Sequence, residues 1–403
     1  MKRPIAPMCC RSGLCLVLVC LVLVVGCTPA DVVSENSAVD AAEGVGPVLE
    51  TMEHRIRVVT VAEGMPFPHS MAFLPDGGML FTQLNGQVRL IRDGVLAPEP
   101  VGTVTGIHSS EGAGAGSGGL TDLVLHPDFS ENGWIYFIYN KTGEPGATMA
   151  VARGVFDGEA FGDIEDVFVA DASTDQRGHL SARIVFVPDG TLYVAISDRG
   201  VPELAQDMSS HAGKVLRLHD DGTVPDDNPF VGMEGYRPEI FTSGHRNLHG
   251  MAVHPDTGDV WVNEHGDEVN VLKAGANYGW PFLSVAGAAG GNPTLPVPRG
   301  VELEWPLISW NPTLNISGLM FYTGDRFPGW QGNLFVGGLG TQQVHRVEFN
   351  LDSSGPLFTQ IREALFTDIG QRVRDLKQGP DGLIYFTTYD AESGAVMRIE
   401  PVD

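Results

Sequence analysis

Cysteine is missing from nearly all of this chain. The 403 residues include five cysteines, and all of them (Cys9, Cys10, Cys15, Cys20 and Cys27) fall in the first 27 positions. Everything beyond is therefore without disulfides, thiolate ligands or a cysteine nucleophile. A chain this long buries enough apolar surface to fold without covalent staples. Basic charge is scarce too, with 25 Lys and Arg against 50 Asp and Glu and a formal net charge of −25. The first 27 residues carry three basic and no acidic side chains, so the remainder stands near −28. That excludes nucleic acid as a partner, because phosphate backbones are bound by basic patches. It suits a soluble domain in a salty or periplasmic setting. Long helical patterns are absent, as are a serine nucleophile elbow and a His-Glu-x-x-His motif. The glycine run Gly112 to Gly119 lacks the Gly-Lys-Ser/Thr ending of a phosphate loop and reads as a flexible loop. Asp220 to Asn228 misses the ligand pattern of a calcium loop and reads as a turn.

What is present begins with a targeting segment. Lys2, Arg3 and Arg11 form a basic region ahead of an apolar run from Leu14 to Val25. The run is much shorter than the roughly 20 residues of a spanning helix, so it reads as a secretory segment. Val24-Val25-Gly26-Cys27 looks like a lipoprotein cleavage site, making Cys27 the expected lipidated first residue of the mature chain. An ordinary signal peptide or an uncleaved anchor is the alternative. Residues 28–53 are rich in Ala, Ser, Val, Asp and Glu without apolar periodicity, and read as a flexible tether. The expected folded domain is 54–403.

Within that domain one theme recurs. A short apolar segment is followed by a turn built on Pro-Asp or Gly, and then by a strand of aromatic and β-branched residues. The turns are Leu74-Pro75-Asp76-Gly77, His126-Pro127-Asp128, Pro188-Asp189-Gly190, His254-Pro255-Asp256, Pro328 to Gly332 and Pro380-Asp381-Gly382. Proline pre-sets φ and Asp-Gly completes the turn, so each is a hairpin signal. Six units of roughly 50 to 70 residues predict an all-β, six-bladed β-propeller of four-stranded antiparallel blades. Paired β-sandwiches or a β-helix are the alternatives. His126 and His254 read as turn residues. Aromatic strands such as Trp134 to Tyr139 read as blade core.

Four polar clusters fall at corresponding places in different units. In Gly178 to Gly200 (GHLSARIVFVPDGTLYVAISDRG), His179 stands ahead of a strand, a turn and a second strand ending in Asp198-Arg199. A titratable ring on a rigid β-scaffold is a typical general base. The others are Ser243 to Asn247, Asn263 to Glu268 leading to Ala276 to Pro281, and Gly370 to Asp375. Period-two alternation would send Arg372 and Arg374 to one strand face. Such a pair implies either an anion between them or neutralising neighbours such as Asp375.

Together with Gly118 to Phe129, Gly213 to Leu218, Asp226 to Phe230 and Phe321 to Gly324, these clusters resemble the quinoprotein sugar dehydrogenases. These are the soluble aldose and glucose dehydrogenases, with a glucose/sorbosone dehydrogenase domain, that use pyrroloquinoline quinone (PQQ). The resemblance runs from about Val58 to Pro401. It implies His179 as catalytic base, Arg246 and Asn247 near the quinone carbonyls, and Arg372 and Arg374 on its carboxylates. It also implies Glu268 and Tyr278 at a Ca²⁺ site. Ser117 occupies a cofactor-side position where relatives usually have glutamine, and Gly340 one where several have lysine. His249 stands where Arg-Asn-Pro-Gln is usual, and His265-Gly266 runs straight into Asp267-Glu268. The implied function is a periplasmic, lipid-anchored oxidoreductase that converts aldoses to lactones and passes electrons to an external acceptor. A redox-inactive propeller lipoprotein that binds carbohydrate or a protein is the alternative, and a metal-dependent lactone hydrolase is a further one.

Overall fold

The computed structural model describes residues 45–108, 118–176, 178–284, 296–349, 359–366 and 369–403. Cys27 and Ser117 lie outside these residues. Six antiparallel sheets follow one another along the chain, and the fold is a six-bladed β-propeller. The innermost strands are Pro68–Phe73, Leu120–Leu125, Ala182–Phe186, Leu248–Val253, Ile316–Phe321 and Val373–Gln378, in blades 1 to 6 respectively. Each touches the next, and the last touches the first. The axis is crowded: a Cβ on Gly318 would sit 2.7 Å from the Asp375 Cα. The ring closes by strand exchange between the termini. Arg55–Met65 pairs antiparallel with Gly394–Val402 within blade 6.

Every one of the six predicted turns joins an inner strand to the second strand of its blade. The chemistry is local. Gly77, Gly190 and Gly382 take positive φ of 87°, 85° and 77°. Asp76, Asp189 and Asp381 each accept the backbone N–H two residues on, at 2.9, 2.8 and 3.1 Å. Where no glycine follows, His126 and His254 accept that role through Nδ1, from the N–H of Asp128 at 3.0 Å and Asp256 at 3.3 Å. Both are turn residues, as their sequence context suggests.

Five clusters of buried apolar side chains fill the seams between neighbouring blades. Blade flanks are thus the core, and stability comes from stacking blades rather than from any single sheet. One boundary differs from expectation. Val45–Glu50, placed in the tether by composition, pairs with Arg55–Met65 as the outer edge strand of blade 6. An edge strand needs only one partner, so a weak apolar pattern suffices.

Because all six turns lie at one face, the opposite mouth collects the starts of the inner strands and the ends of the second strands. Arg246-Asn247 and Arg372 immediately precede inner strands and His179 stands three residues ahead of one, while Glu264 ends a second strand and Asp198 lies two residues past the end of another. Topology thus brings residues from blades 3, 4 and 6 to one opening.

Candidate active site

His179 adopts a left-handed φ of 51°, uncommon outside glycine. Its Nδ1 lies 2.6 Å from Oδ1 of the fully buried Asp198. A carboxylate only accepts, so Nδ1 carries the proton and the lone pair sits on Nε2. Asp198 Oδ1 also accepts the Gly200 N–H at 2.9 Å, and Oδ2 accepts the Trp280 indole N–H at 2.8 Å. The His179–Asp198 contact fixes the imidazole tautomer and leaves Nε2 as the acceptor nitrogen.

The neighbouring blade supplies Arg246 and Asn247. The Arg246 carbonyl accepts the Asp198 N–H at 2.7 Å, and its own N–H donates to Glu264 Oε2 at 2.6 Å. One guanidinium nitrogen donates to the His265 carbonyl at 2.5 Å. The guanidinium lies 5.2 Å above the Trp280 ring. Asn247 is buried; its Oδ1 accepts from Ser197 Oγ at 3.1 Å. Burial and the Arg246 charge push the His265 imidazole down to about 4, and His179 and Arg372 act on it in the same direction.

The predicted arginine pair is divided. A register irregularity between Val373 and Asp375 breaks simple alternation at the start of the blade 6 inner strand. Both guanidiniums still lie 5.9 Å from the Tyr389 ring. Arg374, however, turns into the channel. Its Nε donates to His69 Nε2 and one Nη to His249 Nδ1, each at 2.8 Å, and the other Nη donates to Ser181 Oγ at 3.2 Å. Burial and then the Arg374 charge hold both imidazoles well below their ordinary pKa, so they accept as neutral rings. Burial and Arg183 lower Arg374 itself to about 9. Arg372 stays at the mouth. The Nε atoms of Arg372 and Arg246 and Nδ1 of His265 are buried and have no hydrogen-bond partner. Buried donors without acceptors are costly, so the two guanidinium Nε atoms mark where an acceptor-rich, anionic ligand would be stabilised.

Below the mouth the axis is stoppered. Arg183 lies 3.3 Å from both Asp122 and Asp375, and its Nε donates to the His249 carbonyl at 2.6 Å.

Glu268 faces Glu264 across the hairpin that joins their strands. Burial and then the Glu264 charge raise the Glu268 carboxyl to about 8. Asn270 Nδ2 donates to Glu268 at 3.1 Å, while Glu264 is engaged by His245 Nδ1 at 2.6 Å. A cation would relieve this repulsion. Tyr278 is placed differently from a side-chain ligand. Its phenol donates to the Val271 carbonyl at 2.6 Å and accepts the Lys273 N–H at 3.0 Å, and its ring stacks on His245. A cation at this position would have to use its main-chain carbonyl. Among the described residues, no three His, Cys, Asp or Glu side chains are grouped as a metal site.

The short loop after Gly266 is a tight turn, with Gly266 at φ 141° and Asp267 at 62°. Asp267 leaves the mouth to serve blade 5, accepting the Thr313 hydroxyl and the N–H groups of Leu314, Asn315 and Ile316. At Gly340 a Cβ would stand 2.3 Å from Asn315 Nδ2, so a lysine there would have to displace Asn315. Reading by motif missed Asp198, Glu264 and Trp280 as site residues. The available signal was positional: Ser-Asp-Arg and Asn-Glu-His both stand at the ends of second strands in adjacent blades.

The glucose/sorbosone dehydrogenase family model matches residues 65–398. The chain is 36% identical to the aldose sugar dehydrogenase YliI of Escherichia coli, over 86% of this chain and 93% of that protein. It is 26% identical to quinoprotein glucose dehydrogenase B of Acinetobacter calcoaceticus, over 82% of this chain and 84% of the other. The crystal structure of the soluble E. coli aldose sugar dehydrogenase in its apo form superposes with a TM-score of 0.77 at 33% identity, covering 86% of this chain and 100% of that one. A propeller whose mouth holds a carboxylate-oriented imidazole beside unpartnered guanidinium nitrogens, matched over most of its length by these proteins, belongs to the glucose/sorbosone dehydrogenase family.

Proposed function

We propose that this protein is a sugar oxidoreductase that oxidises the anomeric carbon of aldoses to lactones, with PQQ and Ca²⁺ bound at the mouth. The observation that carries the reading is the His179–Asp198 dyad opening onto unpartnered nitrogens of Arg246, Arg372 and His265. The quinone is a flat tricarboxylate, and the guanidinium donors fit it. The Glu264–Glu268 pair, with its raised carboxyl, suits a hard cation. When bound, the quinone would supply the two-electron acceptor for the C1 hydride. The chain's own residues do the rest. His179 Nε2 takes the proton of the anomeric hydroxyl, Asp198 stabilises the resulting imidazolium, and Trp280 with Gly200 keeps Asp198 in place. Arg372 and Arg246 hold the ligand's carboxylates and carbonyl edge. Arg374 supports from beneath through His69 and His249. Electrons then leave to an external acceptor. The segment 1–27 suggests export and lipid attachment at Cys27 on the periplasmic side of a membrane.

Adding PQQ and Ca²⁺ to the purified protein and assaying aldoses with an artificial acceptor tests the reading. Quinone uptake by calorimetry and sugar-dependent turnover are expected, and absence of uptake overturns it. The space taken by Asn315 at Gly340 favours the second reading, a propeller that binds carbohydrate without redox chemistry. That reading requires sugar binding without quinone uptake.

A further inference from the structure

One residue joins the base to the arginine arm. Trp280 is 7% exposed and lies on the excursion that leaves blade 4. Its indole N–H, a donor only, gives Asp198 Oδ2 its hydrogen bond at 2.8 Å. Oδ1 meanwhile serves His179 and Gly200. The ring face carries the Arg246 guanidinium at 5.2 Å. Trp280 is itself fixed from both sides. Its backbone N–H donates to the Gly244 carbonyl at 2.9 Å, and its backbone carbonyl accepts from Gln206 Nε2 at 2.6 Å. Gln206 and Asn277 in turn pair reciprocally, at 2.7 and 3.0 Å, tying this excursion to blade 3.

Asp198 is fully buried, and a buried carboxylate is costly unless its oxygens are satisfied. Without the indole, Oδ2 loses its donor. The carboxylate is then held only through Oδ1, by Gly200 and His179, and its orientation against the imidazole is loosened. With the indole in place, one oxygen is committed and the imidazole has a single partner. The edge of Trp280 therefore sets the base, while its face sets the arginine that would meet an anionic ligand.

We propose that Trp280 is the positioning residue of this mouth: its indole N–H fixes the Asp198 carboxylate against His179, and its ring face fixes the Arg246 guanidinium. The ligand on the arginine side is an anionic, planar group, which rests on the function proposed above. The coupling to His179 does not depend on it.

Two variants of the full chain separate the edge from the face. Trp280→Phe keeps a ring under Arg246 and removes the N–H. Trp280→Leu removes both. The first readout is the ¹⁵N spectrum of the His179 imidazole without any cofactor, identified by its loss in His179→Ala. His179 is faced by Asp198 and His265, and Asp198 by Arg246 and Arg199, all unchanged in both variants. In both variants the Nδ1–H tautomer signal should broaden or redistribute. In the reconstituted enzyme, Trp280→Phe should lower kcat about tenfold with KM within about twofold. Quinone affinity should stay within about twofold in Trp280→Phe and fall about fivefold in Trp280→Leu, the worth of one cation–π contact. A His179 spectrum in Trp280→Phe identical to the parent overturns the proposal. So does equal quinone affinity in the two variants where the parent binds it. If neither variant folds, Asp198→Asn in the parent gives the answer from the other side: the Trp280 indole N–H resonance should shift upfield, and an unmoved resonance is fatal. Failure of quinone uptake alone, with the His179 changes present, refutes the sugar-oxidising function and leaves the Trp280–Asp198–His179 coupling standing.

Discussion

Arg183 and Arg372 stand on the same inner ring of strands and are partnered in opposite ways. Arg183 is sealed in the axis between Asp122 and Asp375, with a backbone carbonyl on its Nε. Arg372 lies at the mouth with a buried Nε that has no partner. Arg183 is fully buried with its contacts complete, whereas the Arg372 Nε is buried without one. A closed ion network holds blades together. An open one spends stability to keep donors available, and that pattern marks a binding site.

Substitutions should separate the two regions cleanly. His179→Ala removes the proposed base, and turnover in the reconstituted enzyme should fall about 10³-fold while stability falls by less than in the axial variant below. Parallel activity assays and calorimetric scans check this, and a comparable loss of stability would place His179 with the axis instead. Arg183→Met should do the reverse. It removes the guanidinium between the buried Asp122 and Asp375 carboxylates and leaves Asp375 only the longer ionic contact to Lys377 at 3.9 Å, so unfolding stability should drop by about 3–5 kcal/mol, read from denaturant midpoints. Arg372→Met should change stability by less than about 0.5 kcal/mol. It should weaken quinone binding about tenfold by calorimetry, equivalent to about 1.4 kcal/mol.

A pH-dependent effect concerns Glu268, whose folded-state carboxyl is raised to about 8 by burial and Glu264. Between its ordinary value and 8 the folded protein binds a proton that the unfolded chain has released. Stability therefore declines as pH rises through that window, by less than about 1.4 kcal/mol per pH unit, the limit for one whole proton. Glu268→Gln should flatten the decline in urea midpoints measured from pH 5 to 8. Calcium should flatten it in the parent but not in the variant.

Much of the architecture was legible because its signals are local. Pro-Asp-Gly sets its own turn through φ and an aspartate-to-backbone bond in three blades, His-Pro-Asp sets it through a histidine in two, and Pro328 to Gly332 marks the remaining one, so the six turns announce six blades. His126 and His254 were readable for the same reason, since their Nδ1 atoms bond within three residues of themselves. The edge strand Val45–Glu50 escaped because it pairs on one side only and carries little apolar pattern. At the site, His179 and Arg246 stood out as titratable and cationic residues at matching places in their repeats. Arg374 did not behave as alternation suggests, because a register irregularity and two neutral histidines from other blades draw it into the channel.

By itself the amino-acid sequence determined the repeat, the turn chemistry, the acidic surface and the residue types gathered at the mouth, all properties set by neighbours along the chain. Only the closed ring decided which of those residues meet. Asp198 takes its indole bond from Trp280, 82 positions away. Arg183 in blade 3 finds its carboxylates in blades 2 and 6. Such pairings depend on how adjacent blades pack around the axis, and the distances between them do not exist until the last strand has joined the first.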